Sequence, residues 1–270
     1  MTLAKLAVLG NPIGHSRSPD IHGMFGEACS VELSYEKLLV EAGKFSEVAG
    51  RFLEQGIGLN VTVPCKHDAW QFVDHASDHA VQAQAVNTVS LGVDGLRLGH
   101  NTDGEGLLRD ISSNLGWQVA GKRVLLLGAG GAVSGVMANL LAANPASVDL
   151  YNRTVSKAIG LSDRYPDTIK VVSQAEMGSD YDLIINGTSA SLSGAGIALP
   201  AHILSATSCC YDMVYGKALT PFNRWCLAQA PCTVSDGLGM LVEQAALAFE
   251  IWFDIRPETD LVISALRKSL

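Results

Sequence analysis

The segment Val124-Leu125-Leu126-Leu127-Gly128-Ala129-Gly130-Gly131-Ala132 constrains this chain more than any other. A short apolar run stopped by glycine reads as a strand buried on both faces, which belongs in a parallel sheet covered by helices. The glycines supply backbone angles that other residues adopt only at a cost, and a helical pattern resumes over residues 132–143. No charge occurs from residue 124 to 143, which approaches the length of a membrane span. Gly128, Gly130, Gly131 and Gly135 interrupt it and Arg123 stands at its start, so strand, turn and helix is the better reading. Such a turn lets bare backbone N–H groups and a helix N-terminus meet a pyrophosphate. Gly128, Ala129, Gly130, Gly131 and Ala132 are therefore the expected cofactor cradle, although Val133 takes the third site of the usual Gly-x-Gly-x-x-Gly. Glycines also end strands for purely structural reasons, so the next strand has to be weighed with them.

That strand, residues 148–151, ends in Asn152-Arg153-Thr154, with Lys157 one helical turn on. In NAD-binding units an acid about 20 residues beyond the glycines holds the ribose 2′-OH. Here an amide, a guanidinium, a hydroxyl and an ammonium stand instead. The Arg153 fork suits a phosphate and its plane can cover an adenine, so NADP(H) is expected rather than NAD. The plain alternative is a solvated helix start with surface cations.

Strand–helix alternation extends over the whole chain. Strand patterns fall at residues 6–10, 31–39 and 59–63, with helices at 18–28 and 45–55 between them and a further helix at 74–84. A strand pair at 88–91 and 96–100 flanks the hairpin signal Asp94-Gly95, and Thr102-Asp103 opens a helix that Gly104 and Gly106 weaken. A second series follows, with strands at 124–127, 148–151, 169–172, 183–185, 208–213 and 233–235, helices at 132–143 and 155–164, and terminal helices at 238–253 and 257–270. This order predicts an α/β chain of two domains with largely parallel sheets and a boundary near Asp103. At 270 residues, 48% hydrophobic and 17% charged, the chain can bury the cores this needs.

A net charge of −8 argues against nucleic acid as a partner, since phosphate backbones need clustered Lys and Arg. No membrane partner and no metal are expected. The six cysteines include no Cys-x-x-Cys pair, and the first ten residues read as a strand and not a leader. A reducing, cytoplasmic setting is expected, with cysteines serving as small hydrophobes.

Asn60-Val61-Thr62-Val63-Pro64-Cys65-Lys66 places a lysine just past a buried strand, at the sheet edge where open α/β sheets bind ligands. Asp103 lies in Gly99-His100-Asn101-Thr102-Asp103-Gly104, also between a strand and a helix. An amine and a carboxylate meeting over a hydroxyl can place a proton and orient an alcohol. Thr62 and Asn87 add hydrogen-bonding groups for a polyol. Alone, Lys66 is an ordinary loop lysine and Asp103 an ordinary helix cap. In Gly14-His15-Ser16-Arg17-Ser18-Pro19, two hydroxyls beside a helix start form a candidate carboxylate cradle, and Ser18 reads as the cap before a proline in the first turn.

Taken in order, these segments resemble the shikimate dehydrogenase family, and the resemblance continues through Tyr211-Asp212-Met213-Val214-Tyr215 and Asp236-Gly237-Leu238-Gly239-Met240-Leu241 with Gln244. It implies an enzyme that uses NADPH to reduce 3-dehydroshikimate to shikimate, a step toward chorismate and the aromatic amino acids. It implies a mostly parallel N-terminal substrate domain of residues 1–103 with 238–270, and a Rossmann-type NADP domain of residues 104–237. Ser16 and Ser18, assisted by Tyr215, would bind the substrate carboxylate. Thr62, Asn87, Asp103 and Gln244 would hold ring hydroxyls, and Lys66 with Asp103 would move the proton. Asp78 matches a cofactor-associated position, and Met213 and Gly237 would border the nicotinamide. Departures are Cys65 and His67 beside Lys66, and Gly187 for alanine in Asn186-Gly187-Thr188-Ser189. Cys65 is expected to make Lys66 sensitive to thiol reagents. Rivals are a quinate/shikimate dehydrogenase using NAD, which tends to carry an acid where Thr154 stands, and a non-catalytic ligand sensor on the same fold. The state is monomer or homodimer, with no apolar stripe demanding the latter.

Overall fold

A computed structural model describes residues 3–188 and 199–270, so Ser189 of the last motif lies outside the described residues. The chain forms two compact units, Met1–Gly106 with Leu241–Leu266, and Leu107–Met240 with Arg267–Leu270.

In the first unit the elements are β1 (Ala4–Gly10), α1 (Ser18–Cys29), β2 (Leu33–Leu39), α2 (Phe45–Leu53), β3 (Gly58–Val61), α3 (Lys66–Phe72), β4 (His75–Ala76), α4 (Asp78–Ala83), β5 (Thr88–Leu91), β6 (Arg97–His100) and the first residues of α5 (Asp103–Arg109). The sheet order is β2-β1-β3-β5-β6-β4. β1 runs parallel to β2 and β3, while β5 is antiparallel to both of its neighbours. The reversal comes from the Asp94-Gly95 turn, where Gly95 has φ +79 and the Asp94 carboxylate accepts the Leu96 N–H at 3.1 Å. β6 therefore points the same way as β1 and β3. The ends of those three strands and the start of β5 share one sheet edge, and every polar residue singled out in this half of the sequence leaves the sheet there.

The expected helix over residues 74–84 is divided. Arg97 grips Asp74 through two side-chain bonds of 2.6 and 2.9 Å, and the Asp74 N–H donates to the Arg97 carbonyl at 2.9 Å. That clamp draws His75 and Ala76 into the sheet beside β6, and the helix starts only at Asp78, behind a Ser77 cap.

The second unit holds β7 (Arg123–Leu127), α6 (Gly131–Ala142), β8 (Ser147–Tyr151), α7 (Val155–Ser162), β9 (Lys170–Val171), β10 (Leu183–Asn186), β11 (Cys209–Asp212), α8 (Pro221–Gln229) and β12 (Thr233–Asp236). The described strands are all parallel in the order β12-β11-β10-β7-β8-β9, so the direction of winding changes between β7 and β10. β7 shows why its sequence is uniformly apolar. Val124 and Leu126 pack on one face with Val136, Met137 and Leu140, while Leu125 and Leu127 pack on the other with Ile203, Phe222 and Cys226. The apolar segment 124–143 is thus a buried strand, a turn and a buried helix, and no helix among the described residues is long and apolar enough to cross a membrane.

Helices α9 (Leu238–Phe253) and α10 (Asp260–Ser269) close the chain. In the first unit the Phe249 ring of α9 meets Phe25 edge-on at 5.7 Å, and the Trp252 indole N–H donates to the Val89 carbonyl at 3.0 Å. Gly58 makes that approach possible, because a Cβ there would sit 2.7 Å from the Val89 oxygen and against the indole. Gly58→Ala is therefore expected to lower stability by about 1–3 kcal/mol, the usual cost of overpacking. A urea unfolding midpoint unchanged from wild type would show that the helix seats without this contact.

Candidate active site

The shared sheet edge of the first unit gathers a connected polar cluster. Asn87, just before β5, is 2% exposed. Its amide nitrogen donates to Thr102 Oγ1 at 2.9 Å and Asp103 Oδ1 at 2.8 Å, and its oxygen accepts the Thr102 N–H at 3.0 Å. Asp103 opens α5, with its N–H satisfied by Asn101 Oδ1 at 3.1 Å. Its second carboxylate oxygen receives Lys66 Nζ at 2.5 Å, and the two side chains are only 8% and 17% exposed. Lys66 opens α3, five residues past the end of β3, which lies beside β5 in the sheet. A nearly buried ion pair is tolerable because each charge faces the other and Asn87 serves the remaining oxygen. An amine held against a carboxylate, with N–H bonds to spare, can pass a proton to or from an oxygen placed beside it.

Gln244 of α9 approaches the same group, 3.5 Å from the Asn87 amide, a marginal bond. Gly106 admits it: a Cβ on Gly106 would lie 2.8 Å from the Gln244 backbone nitrogen. The glycine that weakens α5 in sequence is thus what lets α5 and α9 touch. Thr62 follows β3, with its backbone N–H tied to the Leu9 carbonyl at 2.8 Å.

Ser16 and Ser18 lie after β1, 3.2 Å apart through their hydroxyls. Ser18 is not the helix cap its sequence context suggests. It is already the first residue of α1, Arg17 holds the cap position without a side-chain bond, and Arg17 instead pairs with Asp20 at 2.7 Å. The Ser18 hydroxyl is thereby left to Ser16 and to Tyr35.

Asn60 and Tyr35 are site residues to which sequence reasoning gave no role. Asn60 Nδ2 donates to Thr88 Oγ1 at 3.0 Å and the Asn87 carbonyl at 3.2 Å, while its oxygen receives the Tyr35 hydroxyl at 2.5 Å. An asparagine in an otherwise apolar buried strand was the available signal; Tyr35, on a half-exposed edge strand, offers none. His22 stacks on the Tyr35 ring at 4.7 Å and is fully buried. Burial, the larger influence, lowers its pKa from 6.5 to about 3 against a smaller opposing effect of the neighbouring Asn60. The unfolded chain therefore takes up a proton below about pH 6.5 that the folded chain refuses, and stability falls as pH drops through that window. By pH 5 this amounts to about 2 kcal/mol. A His22→Phe variant should show a correspondingly shallower loss of unfolding free energy between pH 7 and 5, and identical slopes would contradict the assignment.

In the second unit, Gly128 takes φ +109 and its N–H donates to the Tyr151 carbonyl at 2.7 Å. The Asn152 oxygen accepts the Ala129 N–H at 3.1 Å, so the end of β8 holds the glycine turn in shape. Gly130 caps α6, and Gly131 and Ala132 form its first turn. Arg153, Thr154 and Lys157 are exposed around the start of α7, with no acid among them. A turn with open N–H groups and a neighbouring cation pair fits a pyrophosphate and a further phosphate. The position lies at the ends of β7 and β10, where the winding reverses, which is where open α/β sheets take ligands. Met213 and Gly237 follow β11 and β12 and meet closely, since a Cβ on Gly237 would lie 3.0 Å from the Met213 Cα. Tyr215 belongs to this unit, whereas Asp78 is exposed at the start of α4 in the first.

Three family models match this chain. The shikimate dehydrogenase substrate binding domain covers residues 8–89, shikimate / quinate 5-dehydrogenase covers 110–194, and the shikimate 5′-dehydrogenase C-terminal domain covers 237–267. The shikimate dehydrogenase (NADP(+)) of Cellvibrio japonicus is 48% identical over 98% of this chain and 97% of its own. The chain belongs to the shikimate dehydrogenase family. The solved shikimate 5-dehydrogenase of Thermus thermophilus, in complex with NADP(H) and shikimate, is 31% identical with a TM-score of 0.89, covering 99% of this chain and 100% of that one. A 5-ketofructose reductase of Gluconobacter is 25% identical with a TM-score of 0.87, covering 100% of both chains.

Gly187, a departure from the family pattern, packs against Val133, which takes the third position of the general glycine motif. A Cβ on Gly187 would overlap the Val133 side chain and lie 3.0 Å from the Met213 sulfur. The space a third glycine would leave at position 133 is provided from the opposite side by Gly187. His67 is an exposed helix residue, its ring nitrogens near the Gln84 carbonyl and the Gln71 amide, both at 3.2 Å. The expectation that Cys65 sensitises Lys66 to thiol reagents does not hold. The Cys65 side chain packs in the core, 2% exposed, and burial pushes its thiol pKa up, with Asp68 adding to the effect. A buried thiol held protonated is a poor nucleophile. Iodoacetamide treatment of the native protein followed by peptide mass spectrometry should find Cys65 unmodified, and rapid labelling there would contradict the packing.

Proposed function

We propose that the chain catalyses the reversible NADPH-dependent reduction of 3-dehydroshikimate to shikimate, with the Lys66–Asp103 pair handling the proton on the reacting oxygen. The observation that carries this reading is the short, nearly buried contact between those two groups, braced by Asn87 at the sheet edge. NADPH, when bound, supplies the hydride. Lys66 donates a proton to the developing alkoxide in reduction and Asp103 keeps the ammonium aimed. Asn87, Thr62 and Gln244 hold ring hydroxyls, and Ser16 and Ser18 take the carboxylate, with Tyr215 assigned to it by family position alone. The first unit binds the substrate and the second the cofactor. Within the second unit, Gly128, Ala129, Gly130, Gly131 and Ala132 receive the pyrophosphate, and Asn152, Arg153, Thr154 and Lys157 receive the adenosine end with its 2′-phosphate. Met213 and Gly237 border the nicotinamide, and Asp78 remains assigned to the cofactor by family position alone.

Family membership supports the substrate, and the cations without an acid after β8 support NADP over NAD. A relative that is named for a different ketone shows that the fold by itself does not choose the substrate. The six free cysteines suit a cytoplasmic enzyme. The deciding experiment follows reduced-cofactor absorbance with shikimate and quinate, each offered NADP and NAD. Shikimate with NADP should dominate, and Lys66→Ala should lower its kcat by a factor of about 10² to 10⁴. Equal rates with both cofactors, or an undiminished Lys66→Ala kcat, would overturn the reading.

A further inference from the structure

Met213 stands directly after β11 and Gly237 directly after β12, and the two strands pair with Asp212 opposite Asp236. Their turns touch where the Gly237 N–H donates to the Val214 carbonyl at 3.3 Å, and a Cβ on Gly237 would lie 2.7 Å from the Met213 carbonyl carbon. A second tie comes from far along the chain. Residues 267–270, the end of α10 included, belong to this same unit. Arg267 Nη1 donates to Asp236 Oδ2 at 2.7 Å and to the Gly216 carbonyl at 3.2 Å, while Nη2 donates to Asp236 Oδ1 at 2.5 Å. Asp236 Oδ1 also accepts the Leu238 N–H at 3.2 Å. One guanidinium therefore joins the turn after β11 to the turn after β12.

Each terminal nitrogen of a guanidinium carries two hydrogens, and each carboxylate oxygen has two lone pairs. One hydrogen from each terminal nitrogen makes the fork onto Asp236, and the second hydrogen of Nη1 is left for Gly216. Asp236 Oδ1 takes Nη2 on one lone pair and Leu238 on the other. An exposed ion pair by itself holds little together, and the Arg267 side chain is 45% exposed. Its partner is different. The Asp236 side chain is only 10% exposed, and it is met by a two-pronged contact that fixes direction as well as charge. A lysine ammonium lacks that planar fork. Without the guanidinium, a mostly buried carboxylate loses two donors and the turns keep only their contact at Gly237. We propose that Arg267 is a positioning residue for the nicotinamide end of the cofactor site, holding the Met213–Gly216 turn against the Asp236–Leu238 turn. This rests on the reading of the second unit as the NADP site.

The test titrates wild type and Arg267→Ala calorimetrically with NADPH and with 2′,5′-ADP, which carries the adenosine and its 2′-phosphate but no nicotinamide. For NADPH, Arg267→Ala should raise Kd about tenfold, the low end of what losing a hydrogen bond to a charged group costs. For 2′,5′-ADP, variant and wild type should agree within about twofold, as expected of a surface change away from that ligand. A general loosening of the unit would weaken both ligands alike. Asp236→Asn removes the charge that the fork grips, so adding Arg267→Ala to it should weaken NADPH binding little further. An unchanged Kd for NADPH, equal losses on both ligands, losses that multiply in the double variant, or an Arg267→Ala protein that fails to fold would each overturn the role. Wild type that binds neither ligand would instead strike at the reading of the unit as an NADP site, so the two failures are told apart.

Discussion

An amine and a carboxylate taken almost out of water can stay charged only if each finds the other and every remaining lone pair finds a donor. Lys66 and Asp103 meet this condition at 2.5 Å, and the demand propagates outward. Asp103 needs the Asn87 amide; the Asn87 oxygen needs Thr88 and Thr102; the Thr88 oxygen needs Asn60. What looks like a scatter of polar residues in the sequence is one satisfied network on the edge of a hydrophobic sheet. Its geometry depends on a backbone decision, the Asp94-Gly95 reversal, which brings the start of β5 to the same edge as the ends of β3 and β6.

The second unit answers a different physical demand. Its central strands β7 and β10 are buried on both faces, so specificity is displaced to the turns at their carboxyl ends. Gly128 adopts an angle that a side chain would resist, Asn152 fastens the turn, and Arg153 and Lys157 stand exposed with the charge that a phosphate requires. Val133 and Gly187 show how the packing under such a turn can be kept when the usual glycine is moved to the facing segment.

Much of this was legible in sequence because it follows from local chemistry. The glycine turn, the missing acid after residue 151, the hairpin at Asp94-Gly95 and the positions of Lys66 and Asp103 are readable from spacing and residue type. What escaped depends on contacts distant in the chain. β4 exists because Arg97 holds Asp74 from 23 residues away. A π-helical turn at Asp110–Asn114 precedes β7, and Asp110 receives the buried Tyr211 hydroxyl at 2.6 Å, a partner about a hundred residues on. The neighbours of Ser18 fit a helix cap, yet its hydroxyl meets Ser16 and Tyr35 instead. Cys65 stands beside Lys66 in the sequence, yet its side chain packs in the core.

The contact between Lys66 and Asp103 makes them candidates to act as one unit. Groups acting together lose their shared contribution once, when either is removed. Steady-state kcat/KM for shikimate in Lys66→Ala, Asp103→Ala and the double variant measures this directly. The double variant should be about as slow as the slower single variant. Losses that multiply, leaving the double variant slower by the product of the two, would mean that the residues contribute independently and that their contact is not the working element of the site.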